Sequence, residues 1–259
     1  MTKPRSQLID IQQTSYYYCI NRCVRRSFLC GVDHLIGKNY EYRKNWIVER
    51  LALLSRVFAI DVASYAIMSN HYHVALRADK DKASGWSDKQ VANRWKQLYN
   101  WPLLVSKYFK GETDKAEMVK AREIIQTWRE RLFDISWFMR CLNEYLARQA
   151  NREDNCTGKF WEDRYKCQAL LGEAAVLMCM AYVDLNPIRA DITDTPEKSD
   201  YTSIQQRINT LEKSKTKKKQ HKKPDTSPKV KLMPLVKQSS DRQPNAIGYT
   251  LKDYFELID

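Results

Sequence analysis

The chain has 259 residues, with 44 Lys and Arg against 31 Asp and Glu for a formal charge of +13, which is room for one large domain or two small ones. Hydrophobic residues make up 43% of it and aromatics 11%, with only 7 Gly and 8 Pro, and this excludes wholesale disorder. No long uninterrupted apolar run occurs and the opening residues Met1 to Thr14 are polar. Neither a spanning helix nor a secretory leader is therefore expected, no membrane partner is implied, and the expected setting is the cytoplasm with the cysteines reduced.

In chain order, Ser15 to Arg22 (SYYYCINR) is aromatic, alternating and β-prone, and predicts a strand. Tyr42 to Phe58 carries Trp46, Ile47, Leu51, Leu54 and Phe58 at the spacing of an amphipathic helix. Asp61 to Met68 and Tyr72 to Ala78 read as two strands of a hairpin turning at Ser69-Asn70. Helical patterns follow over Val91 to Leu98, Leu103 to Phe109, Ala116 to Phe133 and Trp137 to Arg148, an insertion placed at about 84–155. Tyr165 to Leu171 predicts a further strand, and Gly172 to Leu185 a helix closed by Asn186-Pro187. The order points to an α+β fold with an antiparallel central sheet, packed helices and a helical insertion.

Charge is uneven. Lys213 to Arg242 holds eleven Lys and Arg against two Asp, a net +9, whereas Gln243 to Asp259 carries −2 and residues 1–212 retain +6. The expected organisation is a body over 1–212, a basic Lys-rich linker over 213–242 and a C-terminal segment over 243–259, with a polyanion as the natural partner of the linker.

His71 and His73 flank Tyr72 at the start of a predicted strand, and residues two apart point the same way, so the two imidazoles can converge on one metal ion or stand as ordinary surface histidines. Tyr182 and Asn186 lie one helical turn apart. One of that pair can coordinate while the other attacks; equally, Tyr182 can be a half-buried helical tyrosine and Asn186 a helix cap before Pro187.

Three segments in order carry a more specific signal: IMSNHYHVALR (Ile67 to Arg77), GKFWEDRYKCQALL (Gly158 to Leu171) and AYVDLNPIRA (Ala181 to Ala190). Together with the opening Ser15 to Gly31, they resemble the REP-associated tyrosine transposases, single-tyrosine members of the group named for a His–hydrophobic–His motif, over about residues 5–210. The resemblance implies a ferredoxin-like or RRM-like sheet. It also implies that His71, His73 and Asn186 bind a divalent cation, Mg²⁺ or Mn²⁺, and that Tyr182 is the catalytic nucleophile of a DNA transposase or endonuclease. The implied product is a covalent 5′-phosphotyrosine on single-stranded or hairpin DNA. Relatives continue beyond a segment such as Tyr249 to Asp259, so a truncated copy is the expectation at that end.

Single-stranded DNA also suits the aromatics Tyr16, Tyr17, Tyr18, Trp161 and Tyr165 interleaved with Arg22, Arg25, Arg26, Lys159, Arg164 and Lys166, which offer stacking surfaces and phosphate contacts. Two other readings compete. Cys19, Cys23, Cys30 and His34 form C-x3-C-x6-C-x3-H, a ligand set suited to structural zinc in a nucleic-acid-binding module. A transposase-derived regulator that binds DNA without cutting it is the other.

Overall fold

The computed structural model describes residues 9–24, 29–33, 37–216, 229–236 and 246–258, with the backbone alone over 213–216. Arg25, Arg26 and His34 lie outside the described residues, as does most of the Lys-rich stretch.

The central element is a four-stranded antiparallel sheet built from β1 (Tyr16–Arg22), β4 (Ile60–Ile67), β5 (His71–Ala78) and β6 (Lys166–Ala169) in the order β4-β5-β1-β6. Between β1 and the helix α1 (Arg43–Val57) lies a small ribbon of β2 (Val32–Asp33) and β3 (Lys38–Asn39). β4 and β5 form the predicted hairpin, with Met68 N donating to His71 O across its turn. The fold is thus α+β with an antiparallel sheet, as the sequence pattern implies.

Both faces of the sheet are covered over β4 and β5, so those two strands are buried almost throughout and β5 reads HYHVALRA rather than strictly alternating, whereas β1 alternates buried with half-buried positions. On one face Tyr17, Cys19, Tyr65, Tyr72, Val74 and Leu76 pack with Ile47, Leu51, Leu54 and Phe58 of α1 and its C-cap. On the other, Ala63 and Ala75 meet Val176, Leu177 and Met180 of α7 (Gly172–Asp184), where small strand residues let the helix lie close to the sheet. The buried positions of α7 (Val176, Leu177, Met180, Val183) recur at helical spacing and leave Met178 and Tyr182, one turn apart, exposed.

The insertion consists of α2 (Lys80–Ser84), α3 (Asp88–Lys96), α4 (Leu103–Lys110), α5 (Lys115–Arg131) and α6 (Ile135–Glu153). It starts directly after β5, earlier than the composition suggests, because Asp79 caps α2 by accepting from Lys82 N. Capping boxes at Ser87/Gln90 and Asp114/Glu117 set the starts of α3 and α5. Trp95 and Trp128 stack at 5.5 Å to tie those two helices together.

After α7 come α8 (Asn186–Arg189) and α9 (Ser203–Thr216), then a parallel pair β7 (Leu235–Val236) and β8 (Ile247–Thr250), and α10 (Leu251–Ile258). The C-terminal stretch returns to the body. Val230, Met233, Tyr254 and Ile258 are buried: within the region that composition assigns to a linker, Val230 joins the α1-face core and Met233 the α7-face core, which Tyr254 and Ile258 of the C-terminal segment also enter. No helix among the described residues is long and apolar enough to cross a membrane.

Candidate active site

The site forms where α7 crosses the end of the sheet. In the β1–β5 register Arg22 faces His71 and Ile20 faces His73, while Lys166 of β6 faces Ile20. Directly opposed residues in an antiparallel pair share a face. Tyr18, Ile20, Arg22, His71, His73 and Lys166 therefore all look toward α7. Tyr72 looks the other way: it is fully buried, donates its hydroxyl to Asn143 Oδ1 (2.5 Å) and meets the Trp161 ring edge-on at 5.7 Å. The middle residue of the motif is thus a core anchor that fixes the two histidines on the opposite face.

The His71 and His73 rings stand 4.7 Å apart, centroid to centroid. His71 Nδ1 lies 2.6 Å from Asn70 Oδ1; an amide oxygen only accepts, so Nδ1 carries the proton and Nε2 keeps its lone pair. His73 is 2% exposed, its Nδ1 lies 2.5 Å from the Tyr18 hydroxyl, and its Nε2 is buried with no partner among the described residues. Burial drives the His73 pKa down to about 3, aided by His71 and Arg22, and that of His71 to about 4, aided by Arg22. Both imidazoles are therefore neutral at pH 7, the state that binds metal.

The Tyr182 ring completes the cluster. It lies edge-on to His73 at 6.0 Å and to Tyr18 at 6.2 Å, with the Arg189 guanidinium carbon 5.0 Å from its centroid. At 41% exposure it remains open to a ligand from solvent. The phenol of the late helix and the two imidazoles of the hairpin thus share one face and one cluster. Asn186 opens α8, one turn beyond Tyr182 and half-buried, and its side chain makes no hydrogen bond among the described residues.

Sequence reasoning places Tyr18 only among possible base-stacking aromatics. The structure puts it at the centre of the cluster, stacked on His73 at 5.8 Å. Burial, then the neighbouring Tyr182 phenol, raise its own pKa. Strand alternation puts Tyr18 and Arg22 on one face from sequence alone, but the β1–β5 register that sets Tyr18 beside His73 is a tertiary property.

The orphaned Nε2 of His73 and the preset Nε2 of His71 fit a divalent cation. Among the described residues no carboxylate or thiolate joins them to make a third ligand. An amide oxygen, as on Asn186, or substrate oxygens would have to supply the rest, which suits a hard cation with open positions.

Of the predicted phosphate contacts, Arg22, Arg164 and Lys166 line one cleft of about 210 Å³ with Ile20, Asn21, Glu162 and Asp163. Lys159 is exposed in the loop before it and lies outside that lining. Among the described residues none of these four cations has a carboxylate within ion-pair distance. Three of the proposed stacking aromatics are core instead: Tyr17 at 0%, Tyr165 at 6% and Trp161 at 9% exposure, the last donating Nε1–H to Asn143 O. Cys19, Cys23 and Cys30 are all buried; Cys19 Sγ lies 3.7 Å from Cys167 Sγ, and burial pushes the Cys30 thiol well above its ordinary pKa, which works against a thiolate ligand.

Compared with known proteins, the chain matches no family model and no curated sequence. It is similar to a solved structure of a REP-associated tyrosine transposase bound to a REP hairpin, at 11% identity and a TM-score of 0.45, over 81% of this chain and 86% of that one.

Proposed function

We propose that this protein is a metal-dependent single-stranded DNA endonuclease and strand transferase in which Tyr182 is the nucleophile. The observation that carries the reading is the Tyr182 ring standing 6.0 Å from His73, itself 4.7 Å from His71, on the sheet face that Arg22 and Lys166 extend. His71, His73 and Asn186 would hold Mg²⁺ or Mn²⁺, which when bound supplies Lewis-acid charge to the scissile phosphate. The Tyr182 hydroxyl loses its proton and its oxygen bonds to phosphorus, and the P–O3′ bond breaks. The protein then carries a 5′-phosphotyrosine, and the leaving oxygen is protonated to a 3′-hydroxyl. Because one phosphodiester is exchanged for another, a strand can be rejoined without ATP.

The protein's own residues do three things in this scheme. Asn70 and Tyr18 orient the imidazoles through their Nδ1 atoms. Arg189 packs its guanidinium against the Tyr182 ring and holds the phenol in place. Arg22, Arg164 and Lys166 hold the flanking phosphates. The test is incubation with labelled hairpin DNA and Mn²⁺ followed by denaturing electrophoresis. An SDS-resistant adduct is expected from the native chain and none from Tyr182→Phe, with hairpin binding kept; an adduct that persists in that variant overturns the assignment.

A further inference from the structure

The groove that begins at Arg22 does not end at β6. A second cleft of about 430 Å³, within the ~300–1,000 Å³ span of ligand sites, opens between α6 and the segment before β6. It shares Asn21, Asp163 and Arg164 with the first cleft. Asn21 and Arg22 point to opposite faces of β1, so the two clefts together wrap the end of the sheet, from the α7 face to the α6 face.

The second cleft has the equipment for a nucleobase rather than for a phosphate. Trp137 is half-buried at its side, with the guanidinium carbons of Arg131 and Arg140 at 4.2 and 4.9 Å from its centroid. Arg140 is itself exposed and only loosely paired, with Glu144 at 3.5 Å. Asn143 uses its Oδ1 to accept from Tyr72, and its Nδ2 has no partner among the described residues. Asp163 Oδ1 accepts from Arg164 N at 2.7 Å, and its other oxygen is likewise without a partner among them. A free amide donor and a free carboxylate acceptor beside an indole match a base edge that carries both an acceptor and a donor.

We infer that this α6 cleft is a binding site for an unpaired base of the DNA strand flanking the scissile phosphate, gripped by Trp137, Arg140, Asn143 and Asp163. The inference rests on the DNA-processing reading above and extends it to the helical insertion, whose α6 supplies three of those four residues. A strand leaving the Tyr182 site passes Arg22 and Arg164 and delivers its next free base round the sheet end.

The test is fluorescence anisotropy of the full chain without added metal, using one hairpin made blunt and made with a short single-stranded flank. The native chain is expected to prefer the flanked hairpin. Trp137→Leu and Arg140→Ala are each expected to weaken flanked-hairpin binding roughly fivefold or more, as loss of a stacked base does, and to leave the blunt hairpin unchanged. Trp137 also touches Trp95, so its variant is checked by thermal melting; Arg140 is exposed, and its variant decides the matter if the first does not fold. Equal affinity of the native chain for both hairpins, or variants that lose both equally, overturns the cleft assignment alone. A native chain that binds neither hairpin overturns the DNA reading itself.

Discussion

Replacing Tyr18 with Phe removes one oxygen and keeps the ring that stacks on His73. In the form that leaves His73 Nε2 free for a cation, Nδ1 bears the proton and donates it to the Tyr18 oxygen at 2.5 Å. Phenylalanine leaves that N–H without an acceptor on a residue only 2% exposed. The metal-binding tautomer then carries the desolvation penalty of an unmet buried donor, about 1–3 kcal/mol. At about 1.4 kcal/mol per decade this is a loss of roughly 5- to 150-fold in cation affinity, which brackets the ~10–100-fold effect of losing such an orienting partner. The assay is Mn²⁺ titration by calorimetry, alongside thermal melting to show that the fold persists. Unchanged Mn²⁺ affinity in a folded Tyr18→Phe protein would refute the claim that this hydroxyl sets the His73 tautomer.

Three further outcomes follow from the same coordinates. Asp184, fully buried at the end of α7, accepts from Tyr254 (2.6 Å), Ser203 and Ile204 N; Tyr254→Phe should cost about 1.5–3 kcal/mol in denaturant unfolding, whereas Tyr249→Phe, at a partly exposed position, should cost almost nothing. In a chelator, stability should decline with acid. The folded values of His71 and His73, near 4 and 3, lie below the ordinary 6.5, so the unfolded chain takes up protons first and stability intact above about pH 6.5 is lost as pH falls toward 4. Asp184, raised to about 6 from 3.8 by burial, works in the opposite sense between those values. A His71→Asn/His73→Asn variant should therefore show a flatter profile by denaturant titration at stepped pH, and an unchanged slope would remove the histidines as its cause. Gly172 begins α7 at φ +81° with open space where a Cβ would sit, so Gly172→Ala should lose about 1–2 kcal/mol from backbone conformation alone; no loss on melting would show that the turn relaxes freely.

The Tyr254–Asp184 bond also explains why the C-terminal stretch is more than a tail. Asp184 sits two residues after Tyr182, and its carboxylate is held by α9 and α10 together. Nearby Arg207, 9% exposed, donates to Ala63 O and Met233 O and so pins α9 to β4 and to the segment before β7. The end of the helix bearing the phenol is thereby tied to α9 and α10.

Local pattern sufficed for much of this protein. Period-two alternation marks β1, helical spacing marks α1 and α7, and turn residues mark the β4–β5 hairpin, because each is set by neighbours within a few residues. The His71–His73 pair on one strand face is of the same kind. Composition misleads where long-range burial decides: Val230 and Met233 stand in a run of lysines and prolines and still reach the core, and Tyr17 and Trp161, which look like stacking platforms, are interior. Only tertiary structure brings Tyr18, from β1, and Tyr182, from α7, to the same imidazole, since strand register and helix docking depend on contacts more than fifty residues apart. The motif names the chemical groups, and the packing of α7 across the sheet end turns them into one site.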